Sequence, residues 1–225
     1  MLVVCVGTAT SVGKTFIGAN MLGTLRQAGL TVSARKPVQS FDPGDPEPTD
    51  SEVLAGATGE PSIEVCPPHR SYPLAMAPPM AAEALGWAPP SLADIADELS
   101  WPKARPDLRW VEAAGGVRSP IASDGDSVGL CYLLKPDLVV LVADAGLGTI
   151  NAVRLSCSAL SGHDVAVILN RFDPADRLHV ANRSWLTDRD GFNVLSDPSA
   201  LSTVLLERSG RAEALRPHAV RDSPR

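Results

Sequence analysis

GTATSVGKT, residues 7–15, follows directly on the apolar run LVVCV, residues 2–6. A β-rich run that ends in glycine and opens onto Gly-Lys-Thr reads as a strand–turn–helix junction built to hold phosphate. A helix N-terminus leaves N–H groups unpaired and carries about half a positive charge, so it attracts anions. The turn before it, Thr10, Ser11, Val12 and Gly13, must curl tightly to aim successive N–H groups at one phosphate. Gly13 lets the main chain pass close, Lys14 spans the β- and γ-phosphates, and Thr15 offers a hydroxyl to Mg²⁺. The general pattern asks for glycine six residues before the lysine. Thr8 stands there, and the glycine sits one residue earlier, at Gly7, where it relieves crowding at the strand end.

Working outward, short apolar runs alternate with helical patterns. Residues 14–28 place Ile17, Met21, Leu22 and Leu25 at helical spacing before Gly29. Further strands are expected at 31–36, 108–113, 137–143 and 164–170. The last two are apolar at nearly every position, as in a strand covered on both faces. The alternation predicts an α/β fold: one P-loop NTPase-like domain over residues 1–208, its mostly parallel sheet flanked by helices on both faces. Short helices are expected at 49–59 and 91–99, a strand at 192–195 and a last helix around 199–208. The proline-rich stretches 41–48 and 61–79 read as irregular, and 209–225 as a flexible tail.

Composition excludes some classes. The net charge is −6, which disfavours a nucleic-acid or anionic-membrane surface, and aromatic residues make up only 4%, so rings on which bases could stack are scarce. Cys5, Cys66, Cys131 and Cys157 are far apart with no CxxC pair, as expected of reduced thiols. The first residues have no basic start and an apolar run too short for a signal or a span, and no later stretch reaches membrane length. The expectation is a cytoplasmic protein.

Other segments bear on the chemistry. KPVQS, 36–40, puts Lys36 at the carboxyl end of a strand, on the rim where ligands bind in open α/β sheets. Asp50 in TDSEVL opens a helix and, taken alone, reads as a cap. VEAAGG, 111–116, places the carboxylate of Glu112 on a strand, and GLGTIN, 146–151, is a glycine-rich β–α turn. Asn170 ends a strand, where it reads as a turn residue.

Taken in order, G-T-x-T-x-V-G-K-T, K-P-V-x-S, the aspartate, V-E-x-A-G-G, the glycine turn and the strand-end asparagine resemble the dethiobiotin synthetases, over residues 2 to about 170. The resemblance implies ATP- and Mg²⁺-dependent ureido-ring closure of 7,8-diaminopelargonate with CO₂, drawn from bicarbonate. It implies catalytic roles for Lys14 and Lys36, and nucleotide contacts from Thr10, Ser11, Val12, Gly13, Lys14, Thr15, Gly115, Gly116 and Asn170. It implies metal ligation by Thr15, Asp50 and Glu112. Substrate contacts fall to Lys36, Ser40, Gly148, Thr149, Ile150 and Asn151, the last four reaching the partner's site in a homodimer. No nucleic-acid or membrane partner is implied.

Three departures stand out. Ala9 replaces an acid or glycine, and Ala113 replaces a glycine, which strains the loop if that position needs φ > 0. The two proline-rich stretches should border the substrate cavity. Two alternatives stay open: a diverged relative acting on another substrate, and a nucleotide-switched partition or positioning ATPase, whose loop carries a lysine where this chain has Ala9.

Overall fold

A computed structural model describes residues 1–210; the expected tail falls, from residue 211 on, outside the described residues. In chain order the elements are β1 (Leu2–Gly7), α1 (Lys14–Gln27), β2 (Val32–Arg35), β3 (Gln39–Ser40) and α2 (Asp50–Thr58). Then come α3 (Ser62–Val65), a 3₁₀ turn Pro68–Arg70, β4 (Ser71–Tyr72), α4 (Pro78–Ala84) and α5 (Leu92–Asp97). β5 (Leu108–Gly116), β6 (Pro120–Ala122), β7 (Gly125–Asp126), α6 (Ser127–Leu134) and β8 (Leu138–Asp144) follow. The described chain closes with α7 (Thr149–Ala159), β9 (Val165–Asn170), α8 (Arg177–Ser184), a π-helical turn Trp185–Arg189, β10 (Asn193–Leu195) and α9 (Pro198–Arg208).

Six strands form one sheet in the order β10-β9-β8-β1-β5-β2, with every neighbouring pair parallel. β1 is central; on one side β2 takes the edge and β5 later fills the place between them, and on the other β8, β9 and β10 add outward in turn. The loop after β1 therefore opens at the point where strand order reverses, the position at which open α/β sheets leave a crevice.

The continuous apolar runs follow from burial on both faces. Successive residues of β1 alternate between two cores: Val4 and Val6 face one, Val3 and Cys5 the other. The first core packs Ala81, Ala82, Ile95, Leu130 and Val153, from α4 to α7, against Val139, Leu141 and Val167. The second packs Ile17, Met21 and Leu22 of α1, Leu54 of α2 and Leu201 and Leu205 of α9 against Val140, Val142 and Ile168.

The stretch 61–79, expected to be irregular, instead contains α3, the 3₁₀ turn, β4 and the start of α4. All of its prolines but Pro73 sit where helices begin, with Pro78 and Pro79 in the first turn of α4, positions whose N–H groups have no helical partner in any case. Ala113 is not strained either. It lies in β5, and among the described residues the non-glycine residues with positive φ are Ser11, Lys135 and Arg171.

Candidate functional site

The loop from Gly7 to Gly13 folds back over the end of β1. A side chain on Gly7 would meet Ala9 O at 2.8 Å and Val12 Cγ2 at 2.9 Å, so only glycine fits beneath the loop. Ser11 (φ 59°) and Gly13 (φ 95°) both take the left-handed conformation, which gives the turn its tight curl. Gly13 also has no room for a Cβ, which would run into Asn170 Nδ2.

Lys14 begins α1 and is buried. Its ammonium donates to Gly115 O at 2.8 Å. Burial, then the neighbouring Lys36, holds its pKa below the usual lysine value.

Lys36 follows β2 directly, and its side chain is 2% exposed. Nζ lies 2.7 Å from Asp50 Oδ2 and 2.8 Å from Glu112 Oε1. Burial works to lower its pKa, but Glu112 and Asp50 outweigh burial and hold it above the ordinary value. Asp50 mirrors this. Burial would raise its pKa, yet Lys36 and a hydrogen bond from Thr15 bring it down.

The two readings of Asp50 are separated by the neighbouring residue. Thr49 takes the N-cap position of α2, with Glu52 Oε2 accepting from its backbone N–H and its hydroxyl, each at 2.8 Å. Asp50 is then free to turn inward. The Thr15 hydroxyl lies 2.6 Å from Asp50 Oδ1 and 2.8 Å from Glu112 Oε1. One hydroxyl proton serves only one of these oxygens. Glu112 is fully buried, and its Oε2 has no hydrogen-bond partner among the described residues. Three converging hard oxygen donors and an unsatisfied carboxylate oxygen suit a small divalent cation such as Mg²⁺.

A cavity of about 610 Å³ opens beside these groups, with the buried Glu112 behind its lining. Thr10, Ser11, Gly13, Lys14, Thr15, Lys36, Ser40, Asp50 and Gly115 all line it. The Ser40 hydroxyl is buried and has no hydrogen-bond partner among the described residues, an unused group beside the cavity. Of the two proline-rich stretches, only the second reaches this cavity, through Ala75 to Pro78. Residues 42–48 are exposed and do not line it, which corrects half of that expectation.

Other expected residues lie elsewhere. Val12 packs into the core beside α1, and its carbonyl accepts from Asn170 Nδ2 at 2.9 Å. Asn170 thus braces the loop rather than merely ending a turn. Gly116 is buried, and a Cβ there would lie 3.2 Å from Thr8 O, so it packs under the loop and does not line the cavity. Gly148, Thr149, Ile150 and Asn151, at the start of α7, do not line this chain's cavity. The sequence reading missed Gln39. It is buried, donates to Ser51 Oγ and Ser71 Oγ, and accepts from Ser51 N, pinning α2 and β4 around the lysine strand. Its place in KPVQS was the available signal.

The known proteins that this chain resembles agree with the geometry. A family described as AAA domain matches residues 2–197. ATP-dependent dethiobiotin synthetase BioD of Haloferax mediterranei is 35% identical over 208 residues, covering 86% of this chain and 82% of that protein. The namesake enzyme of Anaeromyxobacter sp. strain K is 37% identical over 199 residues, covering 84% and 86%. The chain belongs to the ATP-dependent dethiobiotin synthetase family. As a dethiobiotin synthetase it is a nucleotide-dependent ligase acting on small molecules, and the partition-ATPase alternative falls away. Solved structures agree on the P-loop fold alone. Cyanthece apo McdA superposes with a TM-score of 0.50 at 13% identity, over 96% of this chain and 99% of that one. The signal recognition particle receptor FtsY of Elizabethkingia anophelis gives 0.50 at 16%, over 87% and 56%. Among the described residues, no helix is long and apolar enough to cross a membrane.

Proposed function

We propose that this synthetase closes the ureido ring of dethiobiotin from 7,8-diaminopelargonate, CO₂ and ATP. The observation that carries the reading is the shared cavity: the phosphate-loop lysine, Lys14, and the strand-end lysine, Lys36, open on the same space. One substrate amine captures CO₂ as a carbamate. A carbamate oxygen attacks the γ-phosphorus, forming a carbamic–phosphoric anhydride and releasing ADP. The second amine then attacks the carbonyl carbon, closes the ring and expels phosphate.

The chain's task in this sequence is alignment and charge neutralisation. An anionic carbamate must approach an anionic triphosphate, so fixed positive charge on both sides favours the attack. Lys14 and the N–H groups of residues 10–15 hold the phosphates, and Lys36 faces the carbamate. Thr15, Asp50 and Glu112 would hold Mg²⁺, which supplies further charge neutralisation at the phosphate oxygens. Ser40 offers its unpaired hydroxyl to a substrate amine. The start of α7 presents N–H groups suited to a carboxylate, and since its residues do not line this chain's cavity, they would serve the other copy of a homodimer.

The test is turnover of ATP and Mg²⁺ with diaminopelargonate and ¹³C-bicarbonate. Phosphate release that requires both co-substrates, with one labelled carbon in the product, is expected. Release that ignores bicarbonate, or follows DNA or lipid instead, overturns the proposal.

A further inference from the structure

Asn170 and Arg171, the last residue of β9 and the one after it, hold consecutive carbonyls of the phosphate loop. Asn170 Nδ2 donates to Val12 O at 2.9 Å, and Arg171 Nη2 donates to Ser11 O at 3.1 Å. Both Ser11 (φ 59°) and Arg171 (φ 57°) sit in the left-handed region without being glycine. So two conformations of low intrinsic preference are joined by one hydrogen bond. Arg171 is anchored in turn. Its Nη1 lies 2.8 Å from Asp144 Oδ2 at the end of β8, and Asp144 Oδ1 accepts from Gly146 N at 2.9 Å.

We infer that Arg171 is a positioning residue for nucleotide binding, held by Asp144 and acting through the main chain of the phosphate loop. In a trans peptide the C=O and the following N–H point in opposite directions, and the described chain has no cis peptide. Pulling Ser11 O and Val12 O towards the end of β9 therefore turns the N–H groups of Val12 and Gly13 the other way. Those are groups that a phosphate at the start of α1 needs. Without the clasp, Ser11 relaxes from its left-handed conformation and the N–H groups must be reordered for each nucleotide bound. The planar fork matters as well as the charge, because one guanidinium reaches the carbonyl and the carboxylate together.

The inference rests on the nucleotide-binding part of the proposed function. The experiment compares Arg171→Ala, Arg171→Lys and Asp144→Asn with the natural chain, measuring affinity for the non-hydrolysable β,γ-imido analogue of ATP and, separately, KM and kcat. Arg171 and Asp144 are 59% and 48% exposed, and exposed pairs contribute little to fold stability. Melting temperatures should therefore stay put. Affinity should fall about threefold to tenfold in all three variants, with a matching rise in KM for ATP and kcat within about twofold. If Arg171→Lys and Asp144→Asn bind like the natural chain, only a nearby positive charge matters and the clasp is refuted. If kcat falls while affinity holds, Arg171 acts on the chemistry and the assignment is also wrong. Ring closure by the natural chain is scored independently, so failure of the reaction leaves the binding comparison intact.

Discussion

Lys36 has almost no water around its side chain, yet it keeps its charge, because two carboxylates share its ammonium. Breaking a buried pair typically costs 3–5 kcal/mol. With Asp50 43% exposed, Lys36→Met should cost the nucleotide-free protein about 3 kcal/mol by urea denaturation. Lys36→Ala should still bind ATP but release no phosphate in response to bicarbonate and diaminopelargonate, measured by calorimetry and phosphate assay. Lys14 behaves oppositely. Burial and Lys36 lower its pKa, so its charge destabilises the empty site. Lys14→Met should raise the urea midpoint while abolishing nucleotide binding. The signs also set the pH profile. Lys36, with its pKa raised, stabilises the fold below the ordinary lysine value near 10.4 and loses that contribution as pH climbs through the higher folded value. Asp50, with its pKa lowered, stabilises above the ordinary carboxylate value near 3.9 and loses that contribution as pH falls through the lower folded value. Across the window between Lys14's folded and ordinary values, the unfolded chain holds the extra proton, so Lys14 makes stability rise with pH there. Natural chain and Lys14→Met should therefore converge at high pH.

At the scale of elements, Gly7 beneath the loop and Ala113 in β5 answer opposite substitutions differently. Gly7→Ala forces a methyl against Ala9 O and Val12 Cγ2 and should cost about 1–3 kcal/mol. Ala113→Gly tests the opposite expectation. Because Ala113 is a regular, buried strand residue, glycine there should cost about 0.5–1 kcal/mol rather than relieve strain, as thermal melting would show. The junction at residues 7–15 was legible, although its first glycine is shifted by one residue, because Gly-Lys-Thr directly follows a strand and a tight turn. Lys36, Asp50 and Glu112 were legible only in the company of that loop. The cap–ligand ambiguity of Asp50 needed the position of Thr49 to separate it. α6 escaped notice because SVGLCYLL has almost no polar face, leaving Asp126 as its one marker: the Asp126 side chain accepts from Val128 N and Gly129 N. α4 hid behind two prolines that look like a loop until their first-turn position is known. Arg171 carries no sequence pattern at all. Its importance comes from where β8 and β9 end relative to β1.

For the whole molecule, the residues assigned to one reaction fall in two places: the cavity at the end of β1 and the start of α7. In the proposed homodimer a second copy would reunite them. Lys36→Ala and a variant with bulky side chains at Gly148 and Thr149 should each be inactive alone. Mixed under exchange conditions, they should regain turnover through hybrid dimers with one intact site; no recovery would place both groups on one chain's own chemistry. The sheet carries another consequence, for how the molecule is made. β1 is translated first among the described strands but ends up in the middle, bordered by Leu108–Gly116 and Leu138–Asp144. A ribosome adding about 5–20 residues per second leaves this oily ribbon without either neighbour for several seconds or longer. The nascent polypeptide thus has an interval in which a holding chaperone has something to grip, and stalled translation products ending before β5 should precipitate rather than fold.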